Sequence, residues 1–167
     1  DLETAEIAVQ ASLTGHLVMS TLHTNTAVGA VTRLRDMGVE PFLLSSSLIG
    51  VLAQRLVRVL CPHCKVATTI DEEAWTGLVA PWKAKLPPVT YRAAGCLECR
   101  NTGYHGRRAI FEWMDTSSEI RSLLLKNSST DVIRDSARRA GMKTLAEDGR
   151  RLVEQGVTTI EEVLSVT

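Results

Sequence analysis

Two cysteine pairs decide how the middle of this chain folds: Cys61-Pro62-His63-Cys64 and Cys96-Leu97-Glu98-Cys99. They hold all four cysteines of a sequence of 167 residues, and both have the C-x-x-C spacing of a metal-binding turn. Two such turns offer four thiolates, which complete the tetrahedral shell of a structural Zn²⁺ ion. The sequence therefore predicts one zinc ion per chain, bound by Cys61, Cys64, Cys96 and Cys99.

The cysteine pairs could also form disulfides or a redox motif. The sequence shows no secretory signal and has the character of a cytosolic protein, in which stable disulfides are rare. A thioredoxin-like redox motif needs one C-x-x-C turn, so a second turn favours zinc. His63 or His105 could replace one ligand, but four thiolates already fill the shell. We expect His63 to face solvent.

The overall charge and hydropathy narrow the class of protein. Lys plus Arg is 19 and Asp plus Glu is 19, so the net charge is zero, which disfavours a nucleic-acid binder. No apolar run approaches the roughly 20 residues of a membrane span. We therefore expect no nucleic-acid partner and no direct membrane span.

The first third of the chain has the pattern of an α/β protein. Residues 2–14 predict a helix with Asp1 as a possible N-cap, and the apolar run 17–22 (LVMSTL) predicts a buried central strand. A second helix follows from Ala27, and Gly38 ends it. Helix, buried strand, polar loop and helix follow one another in parallel α/β sheets.

The remaining elements are predicted less regularly. A helix is predicted over 41–48, and strands are predicted over 51–60 and 106–114. Residues 65–95 have the least regular pattern, with Trp75 and Trp82 as local core. From Thr116 onwards we expect a bundle of about four short helices.

Local signals define the ends and faces of these C-terminal helices. Three capping boxes are predicted, at Thr116/Glu119, Thr144/Glu147 and Thr159/Glu162. Gly141 and Gly156 fit C-terminal stops. The residues predicted to face inward are Leu123, Ile133, Ala137, Leu145, Leu152, Val163 and Leu164.

A polar loop follows the predicted strand, with the sequence STLHTNT over 20–26. Ligands of open α/β sheets bind outside the carboxyl ends of the strands. His23 could donate a hydrogen bond to a phosphate oxygen, whereas Asn25 or Thr26 could simply cap the next helix. No G-x-x-x-x-G-K-[ST] phosphate loop occurs in the chain, so we expect the phosphate site to be incomplete here.

Most of the chain resembles the traffic ATPases of bacterial secretion, the RecA-like motors of type II secretion and type IV pilus assembly. The stretches that carry the resemblance are DLETAEIA (1–8), LTGH (13–16), STLHTN (20–25) and AQRL (53–56). Residues 33–44 and the first cysteine pair are most similar to the type II branch, the general secretion pathway E proteins. The resemblance returns at 95–108 and is weaker elsewhere after Cys64.

The resemblance implies roles for single residues. Asp1 would end the Walker B segment, His23 would be the namesake of the His box that contacts the nucleotide, and Arg107 would lie near the nucleotide. The four cysteines would be the zinc-binding tetracysteine motif of the family. The Walker A loop would lie upstream, so the chain would be a C-terminal fragment that is inactive alone, and its parent would bind ATP and Mg²⁺.

We therefore predict an α/β fold, the C-terminal part of a RecA-like P-loop NTPase. Its predicted parts are the core at 1–60, the zinc module at 61–103, a strand returning to the core at 104–114 and a helical region at 115–167. The parent is expected to be a cytoplasmic homohexameric ATPase that powers protein export through the type II secretion system. It would be held peripherally at the bacterial inner membrane through membrane components of that machine.

Two other functions remain open on the sequence. A type IV pilus assembly ATPase would share the fold and the chemistry. A protein of another class, a non-enzymatic zinc module, would bind a partner protein or nucleic acid, of which zero net charge disfavours the nucleic acid. A Walker A loop in the upstream sequence would distinguish the motor from the module.

Overall fold

The computed structural model describes residues 1–80 and 84–167, and Trp82 of the predicted local core lies outside them. Its helices are α1 (Leu2–Leu13), α2 (Ala27–Asp36), α3 (Pro41–Ser47), α4 (Glu72–Val79), α5 (Ser118–Leu125), α6 (Thr130–Arg139), α7 (Leu145–Glu154) and α8 (Ile160–Leu164). Its strands are β1 (Gly50–Leu60), β2 (Val66–Thr68), β3 (Thr90–Arg92) and β4 (Tyr104–Asp115). A short 3₁₀ helix spans Leu97–Cys99.

The strands form two-stranded sheets. In one sheet β1 pairs with β4, and the other pairs β2 with β3 in antiparallel register, with Ala67 opposite Tyr91. At one end of the β1–β4 pair the Thr116 N–H donates to the Ile49 carbonyl at 3.1 Å. At the other end the Cys61 N–H donates to the Gly103 carbonyl at 2.9 Å, so β1 and β4 are antiparallel.

The chain divides into two compact units. Unit 1 contains Asp1–Ala53 and Glu112–Lys143, and unit 2 contains Gln54–Phe111 and Thr144–Thr167. Strands β1 and β4 each contribute residues to both units. The four-part division drawn from the sequence stays a prediction.

Unit 1 is built on the predicted N-terminal helices. In α1 and α3, Val9 and Leu44 form a buried cluster with Val39. Helix α2 buries Val28 and Val31 and packs on α6, while α3 packs on α5. The predicted helices over 2–14, 27–38 and 41–48 are thus confirmed to within a few residues.

The predicted strand over 17–22 is wrong in this structure. Residues 16–24 have no regular secondary structure, and Leu17 and Met19 are 75% and 89% exposed. An apolar run becomes a central strand only when it pairs on both edges and is covered on both faces. Within residues 1–80 and 84–167, neither two-stranded sheet includes this run.

Unit 2 joins the metal region to the last two helices. Asp71 is the N-cap of helix α4, because its Oδ1 accepts from the Glu73 and Ala74 N–H groups, and α4 packs on α7 and α8. Trp75 is 2% exposed, as predicted. The stretch 65–95, predicted to have the least regular pattern, contains a capped, amphipathic α4 and the β2–β3 pair.

The C-terminal helices are present as four, with two in each unit, so the expected single bundle divides into two pairs. The Thr144/Glu147 capping box is confirmed. Ser117 caps α5 instead of Thr116, and the Glu162 side chain bonds to Arg58 instead of returning to Thr159. Two of the residues predicted to face inward do not.

The two residues wrongly predicted to face inward are Leu164 and Leu123. Leu164 is 43% exposed, and Leu123 is only half-buried beside the fully buried Leu124. Both helices are short, so a small change in where a helix begins rotates its apolar face. Across residues 1–80 and 84–167, every helix is too short or too polar to cross a bilayer.

Candidate metal centre and polar cleft

The four predicted thiol ligands come together in unit 2. Their Sγ atoms all lie within 4.8 Å of one another. The Cys61–Cys96 separation is 3.9 Å, and Cys64–Cys99 and Cys96–Cys99 are both 3.8 Å. A tetrahedral ion bound to sulfur at about 2.3 Å sets its ligands about 3.8 Å apart. The cluster therefore fits a four-coordinate metal ion, whereas a disulfide needs about 2.05 Å.

Backbone geometry at two glycines shapes the metal centre. Gly95 has φ +98°, and a Cβ there would lie 2.8 Å from the Asn101 carbonyl oxygen. Gly103 has φ +76°, and its N–H points at the Cys99 Sγ, 3.1 Å away. The Cys96 N–H donates to the same sulfur at 3.2 Å. Such donors stabilise a thiolate over a thiol.

The thiols differ in their protonation. Burial raises the pKa of Cys99, but the N–H donors of Cys96 and Gly103 outweigh it and lower that pKa to about 6. Burial raises the pKa of Cys64 to about 11, beside the three other sulfurs. A metal ion needs deprotonated thiolates, so Cys99 is the ligand that the backbone prepares best.

The two candidate histidine ligands stay outside the cluster. His63 and His105 are both exposed. In the part of the chain that the structure describes, the group able to hold a metal consists of the four cysteines. A shell closed by four protein ligands is typical of structural sites, whereas catalytic sites keep a position for water.

His23 lies in unit 1, in an open cleft of about 400 Å³. The lining residues are polar or small: His23, Thr24, Asn25, Thr26, Gly29, Thr32, Arg33 and Asp36. Thr26 caps α2, because its Oγ1 accepts from the Gly29 N–H at 3.0 Å. The loop and α2 thus form one polar surface that offers hydroxyl, imidazole and guanidinium donors together with the Asp36 carboxylate.

Glu112 is a feature that the sequence analysis missed. It is 3% exposed, and its Oε1 accepts from the Ala27 N–H, the first of α2, at 2.7 Å. The alternation of β4, in which Ile110 and Met114 are also buried, carries the signal: a glutamate in phase with two core residues.

Asp1 and Arg107 belong to different units. The Asp1 Oδ1 accepts from the Thr4 N–H at 2.8 Å, so Asp1 is the N-cap of α1 in unit 1. Arg107 is exposed on β4, in unit 2. The structure therefore brings the four cysteines together, while His23, Asp1 and Arg107 do not form one cluster within a single unit.

Known proteins similar to this chain agree on its family. The chain is 58% identical to the type II secretion system protein E of Pseudomonas aeruginosa and 54% identical to the type II secretion system ATPase E of Vibrio cholerae. Both matches cover 100% of this chain and 33% of the relative. The type IV pilus assembly ATPase PilB of Thermus thermophilus is 51% identical over the whole chain and 19% of its own length.

A solved structure shows the same fold. The crystal structure of the pilus retraction motor PilT with bound ADP superposes with a TM-score of 0.65 at 24% identity, covering 100% of this chain and 37% of that one. The predicted α/β fold class is therefore confirmed. The chain spans about a third of the length of the type II relatives. Since the family described as "Type II/IV secretion system protein" matches residues 1–165, this chain belongs to that family.

Proposed function

We propose that this chain is the C-terminal part of a cytoplasmic hexameric ATPase that powers protein export through the type II secretion system. One observation carries the proposal: the whole chain is 58% identical to a type II secretion system protein E. Conformational changes on ATP binding and hydrolysis would move domains as rigid bodies and pass force to the secretion machine.

The cleft of unit 1 is the proposed place of nucleotide contact. His23 would donate to the γ-phosphate side of ATP, and the exposed polar lining supports an anionic ligand there. Asp1 would end the Walker B segment, whose carboxylates orient Mg²⁺, and Arg107 would lie near the nucleotide. The phosphate loop and its lysine would come from the rest of the parent.

The metal of unit 2 is proposed to be one structural Zn²⁺ per chain. Four cysteine sulfurs within 4.8 Å of one another favour a soft, four-coordinate ion. The same cysteines define the proposed module at 61–103, between the core at 1–60 and the strand and helices at 104–114 and 115–167. Zinc would supply rigidity there and no chemistry on ATP.

The partners follow from the proposed parent. It would be a homohexamer, held peripherally at the bacterial inner membrane by membrane components of the type II machine, with no nucleic-acid partner. The zero net charge of the chain supports that last expectation.

A type IV pilus assembly ATPase is the alternative, and a specific observation favours it: 51% identity with a PilB protein. A non-enzymatic zinc module is the alternative of another class, and the four cysteines alone would suffice for it.

Complementation distinguishes these functions. The gene of the full-length parent is placed in one strain lacking its type II secretion ATPase and in another lacking its pilus assembly ATPase. We expect recovery of secretion and no recovery of pili. Recovery of pili alone would favour the alternative motor, and ATP hydrolysis by the purified 167-residue chain would contradict its assignment as a fragment that lacks the phosphate loop.

A further inference from the structure

Glu112 is a buried carboxylate to which the proposed function assigns no task. It is 3% exposed, and it lies on β4, 85 positions along the chain from its hydrogen-bond donor, Ala27. The 2.7 Å N–H···O distance lies at the short end of the range for such hydrogen bonds. A carboxylate is costly to bury without partners, so the site is built around this contact.

The contact fixes the point where the cleft loop joins α2. The first N–H groups of a helix have no partners within the helix. The Thr26 side chain accepts a hydrogen bond from the Gly29 N–H, and the Glu112 side chain accepts one from the Ala27 N–H. Ala27 directly follows the loop residues 23–26. The carboxylate also lies at the helix end where the macrodipole favours negative charge.

We propose that Glu112 is a positioning residue for the nucleotide site. By holding the first N–H of α2, it sets where His23 and its loop stand against the nucleotide. Glu112 is not among the residues that line the cleft, so it acts through Ala27 and touches no ligand. This inference rests on the proposed role of the His23 loop.

Two conservative substitutions of Glu112 distinguish the effect of its side-chain length from the effect of its charge. Glu112→Asp keeps the charge but shortens the side chain by one methylene, which withdraws the acceptor from Ala27. Glu112→Gln keeps the length and offers an amide oxygen as acceptor. If position is what matters, the Asp variant is impaired and the Gln variant is close to the wild type.

The expected size follows from how sensitive catalysis is to placement. A misplacement of about 1 Å can reduce a rate about a hundredfold. For Glu112→Asp in the full-length parent we expect a kcat about tenfold lower, with the KM for ATP changed less than about twofold, because a contact made in the transition state affects kcat. Glu112→Gln should stay within about threefold of the wild-type kcat.

Glu162 provides a matched control in unit 2. It is 9% exposed, and its Oε2 accepts a backbone N–H, that of Arg58, at 3.0 Å. Glu162→Asp shortens the side chain in the same way, at a position that is far in sequence from the cleft loop. It should lower the melting temperature and leave kcat per folded molecule unchanged.

The test measures kcat, KM for ATP and melting temperature for the full-length parent and these variants, with His23→Ala beside them. A low kcat in Glu112→Asp alone among the three glutamate variants supports the inference. Equal kcat in Glu112→Asp and Glu162→Asp, or an equal fall in Glu112→Asp and Glu112→Gln, overturns it. If His23→Ala lowers kcat and Glu112→Asp does not, only the Glu112 inference fails. An unchanged kcat in His23→Ala refutes the nucleotide contact itself.

Discussion

The thiol cluster of unit 2 and the polar cleft of unit 1 differ in how much of a site this chain supplies by itself. The cluster has all four of its sulfur ligands within 4.8 Å of one another, and two backbone N–H groups donate to the Cys99 Sγ. The cleft is open, its histidine is exposed, and the chain contains no phosphate loop. The four metal ligands come from one short stretch of the chain, whereas the proposed nucleotide site would also need the phosphate loop of the parent.

The largest expected effect comes from removing two metal ligands, which should disrupt the thiol cluster and leave the cleft of unit 1 intact. Cys96→Ser combined with Cys99→Ser should abolish metal binding, since two of the four ligands are lost. Structural zinc can contribute about 10 kcal/mol to folding, so amide exchange should rise across unit 2 while the helices of unit 1 keep their protection. Elemental analysis and hydrogen-exchange mass spectrometry measure the two effects.

His63→Ala is the control for that experiment, because His63 lies between two ligands but faces solvent. It should keep its metal and its exchange pattern. Metal retained by the double cysteine variant would show that other residues bind it.

The next largest effect comes from a substitution in the cleft, which should leave the thiol cluster intact. In the full-length parent, His23→Ala should lower kcat about a hundredfold, because one well-placed donor to transition-state charge is worth roughly 3 kcal/mol. Zinc content and melting temperature should stay near wild type. Steady-state ATPase assays measure the change.

His16→Ala is its control in the same unit, an exposed histidine whose Nδ1 lies 3.1 Å from the Thr14 Oγ1. Its kcat should be unchanged. Near-normal kcat with a lower melting temperature in His23→Ala would mean that His23 serves only the local structure.

A smaller effect examines the packing between the last two helices of unit 2, α7 and α8. Gly149 in α7 lies against α8, and a Cβ there would come within 2.3 Å of Val163, which is fully buried. Gly149→Ala should destabilise the chain by about 1–3 kcal/mol through overpacking. Denaturant unfolding measures it.

Gly77 in α4 is the matched control, because a Cβ there meets nothing within 4 Å. Gly77→Ala should be neutral or stabilise the helix by about 0.5–1 kcal/mol. Equal effects of the two substitutions would argue against close packing of α7 on α8.

The smallest expected effect is the pH dependence of stability that the Arg58–Glu162 pair gives to unit 2. The Arg58 guanidinium, which donates to Glu162 and also stacks 4.1 Å from the Tyr104 ring centre, lowers the pKa of Glu162. A carboxyl with a lowered pKa stabilises the fold above its unfolded pKa, about 4.3, and this contribution is lost as the pH falls through the folded value.

The free energy of unfolding of the wild type should therefore exceed that of Glu162→Gln by about 1–2 kcal/mol at pH 7. The difference should shrink as the pH is lowered below about 4. A difference that stays constant down to the acid limit would mean that the charge of Glu162 contributes nothing.

The metal ligands could be predicted from the sequence because their spacing and chemistry are local. The helix ends at Thr144 and Gly156 were predictable for the same reason: caps depend on residues three or four positions apart. The strand predicted over 17–22 failed because pairing depends on partners elsewhere. Glu112 was missed because its donor, Ala27, lies 85 positions away, although the alternation of β4 pointed to its burial.

The metal centre also gives the most direct test of the claim that this chain supplies one complete site by itself. Zinc K-edge X-ray absorption of the purified chain, with metal content measured on the same sample, reports the ligand shell. The account predicts one zinc per chain with four sulfur ligands at about 2.3 Å. A mixed nitrogen and sulfur shell, or a chain that purifies with disulfides and no zinc, would contradict it.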